Sequence, residues 1–202
     1  MRSVFVFAVG GVLAITPALA VAQEQGPVQQ QAALPNQTLA QKRAARLDEL
    51  FASLKRESNE VKAARIASLI QNQWQNSGSA TVDLMMAWSA KAMEDKKYSM
   101  ALDFLDQVVV MKPDYAEGWN RRATLHFMMN DYGRSMADIQ RTLSLEPRHF
   151  GALSGMAAIL KDTGRKEAAL EAFERVLTVY PMLRAAQAQA GELADELTGQ
   201  RT

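Results

Sequence analysis

The sequence predicts an all-α chain organised as an array of helical hairpins, and three observations predict it. Pro113, Pro147 and Pro181 are evenly spaced, and each closes a helix-like apolar run, VVVMKP, TLSLEP and VLTVYP. A fixed period of about 34 residues marks a repeat array, in which each unit buries its apolar face on its neighbour. The windows 82–115, 116–149 and 150–183 agree in side-chain chemistry column by column. The segments flanking them carry apolar residues at helical spacings of three, four and seven.

Residues 1–22 place Arg2 before an apolar run and end in small residues, the pattern of a secretory signal peptide with cleavage after Ala22 or Ala20. Cleavage would leave no stable membrane anchor, and the expected destination is the periplasm or the exterior. Residues 23–37, rich in Gln and holding Pro27 and Pro35, read as a flexible linker. Residues 38–78 read as an N-terminal helical hairpin. Its first helix carries Leu39, Leu47, Leu50, Phe51 and Leu54, and its second, capped at Ser58-Asn59-Glu60, carries Val61, Ala64, Ile66, Leu69, Ile70 and Trp74. The hairpin is expected to cap the array ahead of the first repeat. It also reads as a degenerate repeat, with Ala67 and Trp74 in columns twenty and twenty-seven of a window starting at Asp48.

The columns of the three regular windows have physical reasons. Column eight holds the small Ser89, Ala123 and Ala157, and column twenty holds Ala101, Ser135 and Ala169, so the two helices of each hairpin approach closely. Column fifteen, between them, holds Lys96, Asn130 and Gly164, where a left-handed backbone is expected. Each closing proline ends a helix, because the residue before proline is biased against helical backbone. Asp114 is expected to cap the helix after Pro113. Residues 184–199 place Ala186, Ala190, Leu193 and Leu197 on one stripe and are expected to seal the last repeat from water.

The large residues Met85, Trp119 and Leu153, the small residues of columns eight and twenty, the aromatic Tyr98 and Tyr132, and the closing prolines together resemble the tetratricopeptide repeat (TPR). The resemblance implies a right-handed α-solenoid whose first helices line a concave groove. It implies a protein or peptide partner bound there, with Asp83, Met86 and Met93 from the first repeat, Glu117, Asn120, Arg121, Thr124, Phe127 and Met128 from the second, and Ser154 and Lys161 from the third. Gly151, Gly155 and Ala158 share the groove columns and leave the third repeat bare of bulk. Chaperone-binding members carry a clamp of Lys, Asn and Arg for an acidic carboxyl terminus. Here the corresponding places hold Met86, Ala90, Arg121, Gly151 and Gly155, so that ligand is not expected.

Composition excludes several classes. Hydrophobic residues make up 48% and charged residues 22%, as in a globular protein. The 23 basic residues balance 22 acidic ones, and losing Arg2 with the signal leaves 22 of each, so nucleic acid is not an expected partner. Without cysteine there are no disulfides, thiolate nucleophiles or Cys-ligated metals. His126 and His149, the only histidines, stand far apart in the sequence, not at the three- or four-position spacing of a metal pair on one helix. No phosphate loop or GxSxG is present. The chain therefore reads as a non-enzymatic adaptor or scaffold without cofactor or metal. The alternative is a homo-oligomerising structural protein of the cell envelope.

The stretch EGWNRRATLHF, residues 117–127, resembles a catalytic cluster but divides by helical geometry. Trp119, Ala123 and His126 share a packed stripe, so His126 is expected to be structural. Arg122 is expected to meet Asp138 on the next helix, while Glu117, Asn120, Arg121 and Phe127 belong to the groove.

Overall fold

The computed structural model describes residues 38–199; the signal-like and Gln-rich segments, residues 1–22 and 23–37, lie outside the described residues. The described chain is helical: α1 (Leu39–Arg56), α2 (Glu60–Gln75), α3 (Ala80–Glu94), α4 (Tyr98–Met111), α5 (Ala116–Met128), α6 (Tyr132–Leu145), α7 (Phe150–Asp162), α8 (Lys166–Val179) and α9 (Arg184–Gly199). The pairs α3–α4, α5–α6 and α7–α8 are hairpins that fall on the three windows, and α9 packs against α8.

Local chemistry sets the helix ends. Thr38 and Gln41 form a reciprocal capping box on α1, and the Asn59 side chain accepts from the Lys62 N–H at 3.0 Å to start α2. Lys96 and Asn130 both adopt φ 58°, and Gly164 adopts φ 75°, so column fifteen is left-handed in all three repeats. Asp114, expected to cap α5, instead pairs with Lys112 at 3.2 Å; Tyr115 takes the cap position without a side-chain bond.

The small columns do what close helix packing requires. Ser89, Ala123, Ala157, Ala101, Ser135 and Ala169 are all buried, and the Ser135 hydroxyl donates to the Ala123 carbonyl across the hairpin at 2.8 Å. Between repeats the fit is equally tight. A Cβ on Gly118 would come within 2.8 Å of Val108 Cγ1, so a larger residue there would push α5 off α4.

The hairpin of α1 and α2 departs from the sequence expectation. It does not seal the outer face of the first repeat but lies along the row of inter-repeat junctions. Glu60, the first residue of α2, accepts from Arg184 at 2.9 Å just past the end of the third repeat, Trp74 packs on His149 and Phe150 at the second junction, and the Gln75 carbonyl accepts from Tyr115 Oη at 2.9 Å at the first. From α1, Asp48 accepts from Arg148 at 2.7 Å, and Arg148 also lies over the Phe51 ring at 4.2 Å. One core therefore joins Leu50, Phe51, Leu54, Ala63, Ala67, Ile70 and Trp74 of the hairpin to Phe150, Leu153, Phe173 and Val176 of the third repeat. The buried face of α2 differs accordingly: Ala63 and Ala67 are inside, while Val61, Ala64 and Leu69 are exposed. The reason is steric. Trp74 is too large for column twenty-seven, where the stacked repeats bury Val108, Thr142 and Val176, but fits the aromatic junction.

Candidate functional site

A cleft of about 110 Å³ opens between α5 and α7. Asn120, Ala123, Thr124 and Phe127 form the α5 wall, Ser135 and Ile139 of α6 the floor, and Gly151, Ala152, Gly155 and Ala158 the α7 wall. The space exists because α7 presents glycines there. A Cβ on Gly155 would already touch Ile139 Cδ1 at 3.4 Å, so any longer side chain would fill the cleft. Phe127 is held by stacking on Tyr132, with ring centroids 5.5 Å apart, and Thr124 is exposed with its hydroxyl donating to the Asn120 carbonyl at 3.0 Å.

At one end the cleft shares Asn120 and Gly151 with a polar cavity of about 180 Å³, lined also by Gln71, Trp74, Gln75, Glu117, Arg121, His149 and Phe150. The Glu117 carboxylate organises this end: it accepts from Asn120 Nδ2 at 3.0 Å and Arg121 Nη2 at 3.2 Å, and faces His149 Nε2 at 3.1 Å. His149 caps α7, its Nδ1 accepting from the Ala152 N–H at 3.1 Å. Nδ1 therefore carries no proton, and Nε2 donates to Glu117. Burial pushes the Glu117 carboxyl up, but the His149 hydrogen bond and the Arg121 guanidinium outweigh it and hold it below the usual carboxylate range. Asn120, Arg121 and His149 thereby each have a partner within the protein. Its chemistry is positioning: it fixes Asn120 and Arg121 at the mouth of the cleft.

The other groove residues separate. Met86, expected on the groove, is buried in the core of the first repeat with Val82, Leu105 and Leu125, because α5 packs directly over it. Met93 packs half-buried against the same core. Asp83 accepts from the Ser77 N–H at 2.9 Å and braces the loop before α3. Met128 is exposed at the end of α5, outside the cleft lining. Ser154 is half-buried and its hydroxyl donates to the Phe150 carbonyl, while Lys161 Nζ is tied to Gln189 and Glu192 of α9 at 2.7 and 2.9 Å. Only Asn120, Thr124 and Phe127 of the residues expected to bind a partner meet in the cleft. The columns could not show that Glu117 is buried beneath His149, since His149 lies nearly a whole repeat further along the chain and reads as a turn residue.

Arg122 Nε and Nη2 both donate to Asp138 at 2.8 Å, and its Nη1 reaches back to Asp106 of the preceding repeat at 2.8 Å. His126 is buried beside this pair, with Nε2 3.9 Å from Asp138 Oδ2. Among the described residues no three His, Asp or Glu side chains are placed to hold a metal ion, and no helix is long and apolar enough to cross a membrane.

No protein-family model matches the chain. A TPR repeat-containing protein of Rhizobium etli is 55% identical over 157 residues, 78% of this chain and 77% of that protein. The small glutamine-rich tetratricopeptide repeat-containing protein 2 of Saccharomyces cerevisiae is 28% identical over 89 residues, 44% of this chain and 26% of that one. Among solved structures, the first TPR domain of Spaghetti (RPAP3) bound to the HSP90 peptide SRMEEVD superposes with a TM-score of 0.56 at 20% identity, covering 59% of this chain and 95% of that one. The crystal structure of MamA protein superposes with a TM-score of 0.53 at 16% identity, covering 76% and 82%. These likenesses agree with the repeated columns and the stacked hairpins: the chain belongs to the tetratricopeptide repeat family.

Proposed function

We propose that this protein is an exported adaptor that holds a short apolar segment of another protein in the cleft between α5 and α7 and carries out no chemistry of its own. Export rests on the signal-like pattern of residues 1–22. The observation that carries the binding reading is the bare α7 wall of Gly151, Gly155 and Ala158 opposite Phe127. It leaves room for one or two apolar side chains of a ligand, with Asn120 offering an amide to the ligand backbone. The peptide held by the RPAP3 neighbour supports a peptide ligand for the fold. An acidic carboxyl terminus does not suit this chain: Met86 is buried, Gly151 and Gly155 bring no charge, and Arg121 is engaged by Glu117.

A photoreactive amino acid at position 127, activated in the native host, tests the reading, with position 61, exposed on the outer side of α2, as the reference. A protein captured from 127 and not from 61 supports it. Equal capture from both positions, or none from 127, refutes it.

A further inference from the structure

The outer face of the first repeat is apolar and open. In the second repeat, columns seven and twenty-three hold Arg122 and Asp138, and Arg122 bridges to Asp106 of the repeat before it. This seam is where one repeat meets the preceding one. In the first repeat the same columns hold Trp88 and Phe104, with ring centroids 5.5 Å apart. The hairpin that would have covered them is docked on the junction row instead. Trp88 is 47% exposed, Leu84 one turn before it 48%, and Met100, which shares a cavity with Trp88 and Phe104, 49%. Met111, two turns after Phe104, continues the stripe. Of the nine large hydrophobics exposed among the described residues, Leu84, Trp88, Met100 and Met111 lie on this one stripe, which makes a patch rather than a scatter.

We propose that a second copy of this chain covers the patch, two first repeats meeting face to face about a two-fold axis. Three features select this occupant. The exposed side of α9, with Ala185, Ala188, Glu192, Asp195 and Glu196, offers no large apolar side chain, so head-to-tail stacking would bury little on one side. The rim of the patch is balanced in charge: Lys91 pairs with Asp95 at 2.9 Å and Glu94 at 3.7 Å, and Lys97 with Asp95 at 3.5 Å, so a copy is not repelled. The half-exposed side chains present roughly 400 Å² of apolar surface, and with the rim they approach the ~800 Å² per partner of a standard interface. The Trp88–Phe104 pair is the anchor of the contact.

Sedimentation of the purified protein, in the form its host accumulates, tests the proposal at about 50 µM. A dimer is expected for wild type. Trp88→Asp with Met100→Lys is expected to weaken it by about 100-fold or more, while Val61→Asp at an exposed position of α2 leaves it unchanged and circular dichroism shows all three folded. Because the chain has no cysteine, Met100→Cys provides a single thiol for a short bismaleimide, which should join two chains. A wild-type monomer, or a dimer that survives the double substitution, overturns the proposal.

Discussion

The Trp74 indole lies flat against the His149 imidazole, ring centroids 4.0 Å apart and planes 11° from parallel. This stack joins the N-terminal hairpin to the junction between the second and third repeats, and both rings are buried. Trp74→Ala is expected to cost about 3–5 kcal/mol in urea unfolding, and the double-mutant cycle with His149→Ala should return a coupling of about 0.5–1.5 kcal/mol. Additive losses would mean that the two rings stabilise the fold independently.

The Arg122–Asp138 pair is a second inter-helix tie, and Asp138 is 4% exposed. The guanidinium pKa is raised, chiefly by the Asp138 hydrogen bonds. Arg122→Ala leaves a buried carboxylate without its partner and should destabilise the protein by about 3 kcal/mol. In an Asp138→Ala background the same change should cost about 1 kcal/mol or less, since exposed Asp106 alone contributes little. Equal costs in both backgrounds would show that the two side chains do not stabilise the fold as a pair.

Glu117 gives the fold an acid-sensitive element. Its carboxyl is held below the usual range in the folded chain, so it binds a proton more readily when unfolded. The stabilisation is complete above the unfolded pKa and is lost as the pH falls through the lower folded value. Urea midpoints from neutral pH down to about pH 3 should therefore fall more steeply for wild type than for Glu117→Gln. Parallel profiles would contradict the pairing with His149 and Arg121.

Lys96 occupies left-handed backbone at φ 58° in the turn between α3 and α4. Glycine removes the Cβ conflict there at some cost in unfolded-state entropy, and Lys96→Gly should stabilise the protein by about 0.5–1 kcal/mol. Thermal unfolding measures this, and a lowered midpoint would show that the lysine side chain contributes something the turn geometry does not.

The repeat register was legible because its causes are local. A proline at a fixed interval, small residues at two fixed columns and a left-handed position between them are each set by the helix on which they lie, and Ser135 on Ala123 and φ 58° at Asn130 are their structural outcome. The placement of the hairpin was not legible. α2 carries apolar residues around most of its circumference, Val61, Ala63, Ala64, Ile66, Ala67, Leu69 and Ile70, so spacing alone does not choose its buried face. The choice is made by Trp74 against His149, two repeats further along the chain. Separation in sequence also hid the cap and the Glu117 contact that His149 provides. Within the groove the columns located Asn120, Thr124 and Phe127, whereas Met86 was drawn into the core by Leu125, a contact between repeats that no single window contains.

The cleft beside Phe127 is proposed to receive a partner's apolar segment, and filling it is the sharpest test. Gly155→Met projects a side chain into the space beside Ile139 while improving helix propensity, so the fold should persist. Calorimetric titration with the protein captured from position 127 should show affinity reduced by at least about tenfold, a loss of about 1.4 kcal/mol, in Gly155→Met. An unchanged affinity in a folded Gly155→Met variant would show that the partner does not enter the cleft.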